Sequence, residues 1–588
     1  MNAGRIGRIG FAASLVSVAV LLATIGAVRR DSRAQTHAAD PDDGGGMKCS
    51  PRLRELLASS RANDTIAVWI FFTDRGAAGT PMGEPRMSFR SADRRFRRGG
   101  SAVEPRDLPV HQGYIDSLRG RLVRLRHASR YFNAVSAEVE AREIPALCAC
   151  DFVSSVDRVA SCRIPESPID YPAGSSPPPA KPAGRSIDYG ASFDQLNQVG
   201  AVDLLERGYN GSGSISGLPP VLIAILDTGF KLDHAALREV QIEAQWDFVQ
   251  GDSVVSDQVG DPADQGMHGT AVLGVIAGHA EGQLVGPAWG ARYLLAKTEI
   301  IGTEQPIEED HWIAGIEWAD SAGADVVSSS LGYINWYTRD QLDGSTALCT
   351  IAADIAASHG IVVVNSAGNE GAAGLIAPAD GFSVLAIGAV DRSGVVVYFS
   401  SRGPTADGRI KPDFMAMGLG VRSVSYWNES EYMGYNGTSF AAPIVGGLCA
   451  LLLEMNPYWS PMELRDTLRA TSSRSTSPDN VYGWGIPNGS RVQGITITFD
   501  YARAFPNPFS VETRLQLSLS SPASMTVGVY DCRGALVKTL ARRGPVQRSL
   551  TLSWDGTNER GEPVASGVYL LHVDSWSVRR TVKVILIR

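Results

Sequence analysis

Ser439 stands in the run Asn436-Gly437-Thr438-Ser439-Phe440-Ala441-Ala442-Pro443, directly ahead of the apolar stretch 444–453. A glycine-containing turn followed by a buried helix presents that hydroxyl to unpaired backbone N–H groups and to the positive end of the helix dipole. Such surroundings favour a nucleophile whose reaction develops negative charge on oxygen. Pro443 falls near the expected helix start, where a missing N–H costs least. The run is not the Gly-x-Ser-x-Gly elbow, because Ala441 takes the place of the second glycine. Alone, the serine can serve as a plain N-cap. A catalytic role needs a base and a group to orient it, and both types occur upstream. Residues 221–226 form an unbroken apolar run of strand length, as expected for a parallel strand buried on both faces. The run ends in Asp227-Thr228-Gly229, with the carboxylate at the ligand-binding edge of an α/β sheet. His268 opens His268-Gly269-Thr270 and an apolar helical stretch to Gly278. Together these side chains supply the nucleophile, base and orienting acid of acyl transfer.

The chain order Asp227, His268, Ser439, with Asp-Thr-Gly, His-Gly-Thr and Gly-Thr-Ser-x-Ala-x-Pro around them, resembles the subtilisin-like (subtilase) serine proteases. A fourth block, Asn365-Ser366-Ala367-Gly368-Asn369-Glu370-Gly371, agrees with it. The resemblance implies that Ser439 attacks a peptide carbonyl while His268 takes and returns its proton and Asp227 holds the imidazole. It also implies that the Asn369 amide and the Ser439 N–H bind the oxyanion. One such donor is typically worth about 10²- to 10³-fold in turnover. By the same resemblance Ser330, Leu331 and Gly332 pair with an extended substrate and form one wall of the specificity pocket, with Ala367 and Gly368 opposite. The bland alternative for Ser330 to Gly332 is a buried strand that touches no ligand. No acid is placed to demand Arg or Lys before the cut. The chemistry calls for no cofactor and no metal ligand is assigned. Subtilases often bind structural calcium, but no EF-hand-like loop is present.

The other histidines read differently. The pair Asp233-His234 suits a solvated loop, His279 and His311 suit the surface, and His359, ahead of Gly360, suits a helix end where its charge would complement the dipole.

At 588 residues the chain exceeds one core, and a handful of segments is expected. Arg5 and Arg8 precede the apolar run 11–28, so residues 1–30 resemble a secretory signal peptide, with an uncleaved anchor as the alternative. No other run is long enough to span a bilayer. Residues 31–50 are assigned as a linker. Residues 51–163 show a β-α-β-α-β pattern, with a helix over 114–125, and resemble the inhibitory propeptides of subtilases; an adhesion or scaffold domain is the alternative. Arg90, Arg94, Arg95, Arg97 and Arg98 within it are expected to form a solvated helix face. A net charge of −8 argues against nucleic acid as their partner. Residues 164–186 are Pro- and Ser-rich and read as an exposed linker, a natural place for propeptide cleavage.

Residues 187–490 alternate apolar strands with helical stretches, which predicts an α/β fold with a parallel sheet flanked by helices. Residues 497–588 change to short alternating strands, an all-β Ig-like sandwich. They resemble both the Ig-like domain of flagellar hook-capping proteins and the sorting domains of type IX secretion cargo. The seven cysteines show neither zinc-ligand spacing nor a disulfide scaffold, and Cys148 and Cys150 lie too close to bridge each other.

The combined expectation is an exported, self-inhibited serine endopeptidase. It would act on protein or peptide substrates, with its own propeptide and, through the C-terminal domain, secretion machinery or a cell surface as partners. The rivals are a binding protein on a dead protease scaffold and an acyl-transferring or esterolytic enzyme using the same triad.

Overall fold

The computed structural model describes residues 48–76, 84–98, 103–159, 184–301, 309–333, 337–492, 499–519, 525–544, 549–575 and 579–588. The expected signal peptide and nearly all of the expected linker lie outside the described residues.

The N-terminal region is a small α+β unit. Its strands β1 (Thr65–Phe72), β2 (Arg124–Ser129), β3 (Ala134–Glu140) and β4 (Val153–Arg158) form an antiparallel sheet in the order β2-β3-β1-β4. Alternation along β1 decides what each face covers. Val68 and Ile70 join Leu53, Ile115, Leu118, Ile144 and Leu147 in a core of the unit's own. Trp69 faces the other way and packs with Tyr131 and Ala134 into the cluster that holds Trp312 and Ile316. The expected helix over 114–125 is shorter, Gln112–Leu118, because the chain turns at Arg119–Arg121 and enters β2. The helix Pro51–Ser59 was not foreseen, whereas the arginine run does form the expected helix, Phe89–Arg97. Cys49 and Cys148 are joined as a disulfide, which cysteine spacing did not predict.

The central region carries seven parallel strands: β5 (Leu222–Asp227), β6 (Gln241–Asp247), β7 (Arg292–Lys297), β8 (Val326–Ser329), β9 (Val362–Ser366), β10 (Leu385–Val390) and β11 (Phe414–Met417). Their order is β11-β10-β9-β8-β5-β7-β6. Each buried strand serves two cores, which is why its sequence is apolar throughout. Ile223 and Ile225 face the helices Met267–Ala277 and Thr438–Met455, while Leu222, Ala224 and Leu226 face Glu309–Ala322 and Leu348–Ser358. The chain leaves β5 toward β7 and β6 on one side, then returns to build β8 through β11 on the other. The carboxyl ends of β5 and β8 therefore flank the topological switch point, where such sheets bind ligands.

The helix Thr438–Met455 is also long and apolar enough to cross a membrane, contrary to the reading that only 11–28 qualifies, yet it is wholly buried in this core. The C-terminal region is a sandwich of a three-stranded and a four-stranded sheet. Leu515, Leu517, Val527, Val529, Trp554, Leu571 and Val573 lie between them.

Candidate active site

Asp227 ends β5 and is fully buried. Its Oδ1 accepts hydrogen bonds from Thr228 N–H at 2.8 Å and pairs with His268 Nδ1 at 2.7 Å. His268 is the second residue of its helix and keeps 21% of its side chain exposed, enough to meet a substrate. The glycine after it is needed for close approach. A Cβ on Gly269 would lie 2.3 Å from the Gly229 carbonyl and 3.0 Å from the Asp227 Cβ. The helix thus starts directly on the turn that carries the acid. The loop leading into it is fixed from below, with buried Lys297 Nζ 2.9 Å from Asp247 and 2.7 Å from Asp261. Gln265 donates to the carbonyls of Thr228 and Glu299, both at 2.6 Å.

Burial pulls the His268 pKa down, and the charge and hydrogen bond of Asp227 more than offset this, leaving it raised above 6.5.

Ser439 lies in the first turn of Thr438–Met455, and the ring of the next residue, Phe440, is 5.7 Å from that of His268, centroid to centroid. Its hydroxyl donates to the Ser330 carbonyl at 3.3 Å. Pro443 is not at the helix start but within the helix. The N–H it lacks would have bonded the Ser439 carbonyl four residues back. That carbonyl instead accepts the Ser330 hydroxyl at 2.6 Å. The proline and Ser330 together peg the nucleophile's turn to the end of β8, where Ser330 follows Ser329.

Asn369 is oriented by Thr438, whose N–H and hydroxyl donate to its Oδ1 at 2.9 and 3.0 Å. The Asn369 amide group has no acceptor among the described residues. Phe440 N–H bonds the Gly437 carbonyl, so of the first three helical N–H groups Ser439's has no acceptor among the described residues. A Cβ built on Gly437 (φ 142°) would sit 3.7 Å from both Asn369 Nδ2 and Ser439 N. Both donors therefore border one small space beside the serine. Filling it with Gly437→Ala should cost at least about 10²-fold in kcat, the worth of one oxyanion donor, and active-site-titrated kinetics check this.

Ser330, Leu331 and Gly332, expected to line the substrate, follow the end of β8. Asn365 Nδ2 donates to the Leu331 carbonyl at 2.9 Å, and Tyr333 and Ala377 exchange backbone hydrogen bonds at 2.8 and 3.1 Å. Ala367 and Gly368 follow the neighbouring strand, β9.

A sequence profile of the subtilase family matches residues 220–485, one for the peptidase S8 propeptide domain of Bacteroidota matches 67–170, and one for the FlgD Ig-like domain matches 509–578. Subtilisin from Bacillus pumilus is 34% identical over 311 residues, covering 52% of this chain and 98% of that protein. The chain belongs to the subtilase family. Subtilisin E from Bacillus subtilis (strain 168) is likewise 34% identical over 311 residues, 52% of this chain and 70% of that protein. Subtilisin Savinase from Lederbergia lenta is 31% identical over 294 residues, 50% of this chain and 95% of that protein. This subtilase is a serine-type endopeptidase with an S8 propeptide domain and a C-terminal Ig-like domain.

Outside the site, several sequence readings need correction. His234 is buried: its Nδ1 accepts from Ala236 N–H at 3.1 Å, and burial lowers its pKa. His279 is half-buried and stacks on Trp289 at 4.2 Å. His311 is buried against the propeptide, 2.6 Å from His127. His359 closes the helix Leu348–Ser358 as expected, with Asp320 3.0 Å from its Nδ1. The largest departure is the arginine run. Arg94, Arg95 and Arg98 are buried, and their helix docks on the protease rather than facing water. Arg94 and Arg95 both pair with Asp320, and Arg90 and Arg98 both pair with Asp325. An arginine-dense helix looks solvated when its acids are more than 200 residues away in the chain.

Proposed function

We propose that this subtilase hydrolyses peptide bonds through Asp227, His268 and Ser439, by way of an acyl-enzyme intermediate. The 2.7 Å contact between Asp227 and His268, beside a serine at a helix N-terminus, carries this reading. Ser439 Oγ attacks the carbonyl carbon and His268 Nε2 takes its proton, while Asp227 holds Nδ1–H and stabilises the imidazolium. The developing oxyanion is met by Asn369 and the Ser439 N–H. His268 returns the proton to the departing amine, and a water then repeats the sequence to free the acid and restore Ser439. The named groups supply every proton and charge these steps need, so the chemistry calls for no cofactor, and no motif assigns a structural calcium.

The base must be neutral to act. Because its pKa is raised above 6.5, activity should be present above that pKa and lost as pH falls through it. The acid limb of kcat/KM is expected at a midpoint above 6.5. Asp227→Asn should move that midpoint down and cut kcat by about 10⁴-fold. A limb that stays put in the variant would argue against the pairing.

The precursor is proposed to be exported by its N-terminal segment, held inactive by the propeptide, and cut within 164–186. The C-terminal sandwich is proposed to sort or anchor it, as type IX cargo domains do. Wild type and Ser439→Ala, followed by size and casein hydrolysis, test this. Shortening and hydrolysis confined to the wild type are expected, and identical behaviour of the two would overturn it.

A further inference from the structure

We infer that Ile376 closes the far end of the substrate side-chain recess and restricts the enzyme to peptides with a small residue, Gly, Ala or Ser, immediately before the scissile bond. The inference rests on the proposed role of Ser439 and of the two walls beside it.

The segment carrying Ile376 is bonded to Ala367 of one wall and to Tyr333, the residue after Gly332 of the other. Ile376 N–H donates to the Ala367 carbonyl at 3.3 Å, and the next residue, Ala377, pairs with Tyr333 in both directions. Leu375 and Ala377 are buried, whereas Ile376 between them is only half-buried. Its side chain therefore lies at the recess and not under it. Two glycines locate it. A Cβ on Gly332 would come 2.1 Å from Ile376 Cδ1 and 2.5 Å from Cγ1, and a Cβ on Gly368 would come 2.9 Å from Cγ2 and 3.2 Å from Cγ1. One side chain thus reaches from wall to wall. In an open recess, glycine walls would make room for a substrate ring; here much of that room is taken by a residue of the enzyme itself.

A methyl or hydroxymethyl group fits in front of this plug. A Leu or Phe side chain must push Ile376 aside, and a β-branched residue has few χ1 alternatives. Its backbone cannot yield either without breaking bonds to Ala367 and Tyr333. The two hydroxyls nearby are engaged, Ser330 with the Ser439 carbonyl and Ser401, beside Gly368, with Glu370 N–H, and Leu331, Gly332, Ala367, Gly368 and Ile376 are apolar, so shape decides. Discrimination by apolar shape alone is modest, about 10- to 200-fold per misfit.

The test uses the full chain, with active sites counted by a fluorophosphonate probe and kcat/KM measured on peptide p-nitroanilides differing only in the residue before the cut. Wild type should favour Ala over Phe by at least about 10-fold. Ile376→Gly and Ile376→Ala should each lower that Ala-to-Phe ratio by about 10-fold or more, chiefly by raising the Phe rate. Should the glycine variant fail to fold, the wild-type ratio and Ile376→Ala decide. A labelled wild type that prefers Phe, or active variants that keep the wild-type ratio, overturn the inference alone. A wild type that neither takes up the probe at Ser439 nor cleaves any peptide overturns the catalytic reading, and this inference with it.

Discussion

Ser439→Ala is expected to lower peptide turnover by about 10⁶-fold while leaving the fold and its thermal midpoint nearly unchanged. The small structural cost follows from what the hydroxyl does at rest. It makes one long hydrogen bond, 3.3 Å to the Ser330 carbonyl, whereas the pegging contact at 2.6 Å uses the Ser439 main chain and survives the substitution. The large kinetic cost would follow from the loss of Ser439 Oγ, the atom proposed to form the acyl-enzyme. Residual activity over water would come from the Asn369 side, since an oxyanion donor and substrate binding still act without the nucleophile. The same variant should remain an uncut precursor. Circular dichroism, a thermal melt and p-nitroanilide release on purified protein check the three parts together. A variant that keeps more than about a hundredth of wild-type turnover would place the nucleophile elsewhere.

Much of the site was legible because its residues are constrained locally. Asp227 closes an apolar strand, His268 opens an apolar helix over Gly269, and Ser439 follows Gly437; each pattern is visible within a dozen residues. The parallel sheet was legible for a similar reason, since strands such as β5 must be apolar on both faces. What the sequence hid depends on long-range pairing. Ile376 carries no signal in its own neighbourhood, and only its distances to Gly332 and Gly368 show what it fills. Pro443 looked like a helix-start residue; its place in the ladder is set by where Thr438 begins the helix and by Ser330 of a distant strand. The arginine run misled most. Composition rules treat clustered arginines as solvated, and they fail when two of them, joined by Arg130, share one buried acid.

That acid gives the second large effect. Asp320 receives Arg94, Arg95 at 2.8 Å and Arg130 at 2.7 Å from the propeptide, together with the Tyr131 hydroxyl at 2.8 Å. The arginine side chains are 0%, 0% and 6% exposed, and Asp320 is fully buried. Burial alone would raise the carboxyl pKa; the His359 contact and the charges of Arg94 and Arg130 more than offset it and hold it well below the usual carboxylate range. A depressed carboxyl stabilises the assembly above its ordinary pKa and loses that contribution only as pH falls through the lowered value. The clamp is therefore fully engaged at neutral pH.

Asp320→Asn leaves three guanidinium groups in a dry site with less than their charge balance. Breaking a buried pair from one side costs about 3–5 kcal/mol, or roughly 10²- to 4 × 10³-fold in how firmly the propeptide is held. Against this, Asp116 and Arg119 form a pair that is 54% and 67% exposed, and Asp116→Asn there should have little effect. Placed in the Ser439→Ala chain, where no self-cleavage intervenes, Asp320→Asn should speed hydrogen exchange at the β2 and β3 amides by about 10²-fold, and Asp116→Asn should leave it near the parent rate. In the cleavage-competent chain the same change should bring casein hydrolysis on earlier. Equal exchange in the two variants would mean that the apolar contacts of Trp69 and Tyr131 hold the propeptide without the arginines. In that event the arginine helix would serve only the internal order of its own unit, through Arg95 and Asp107.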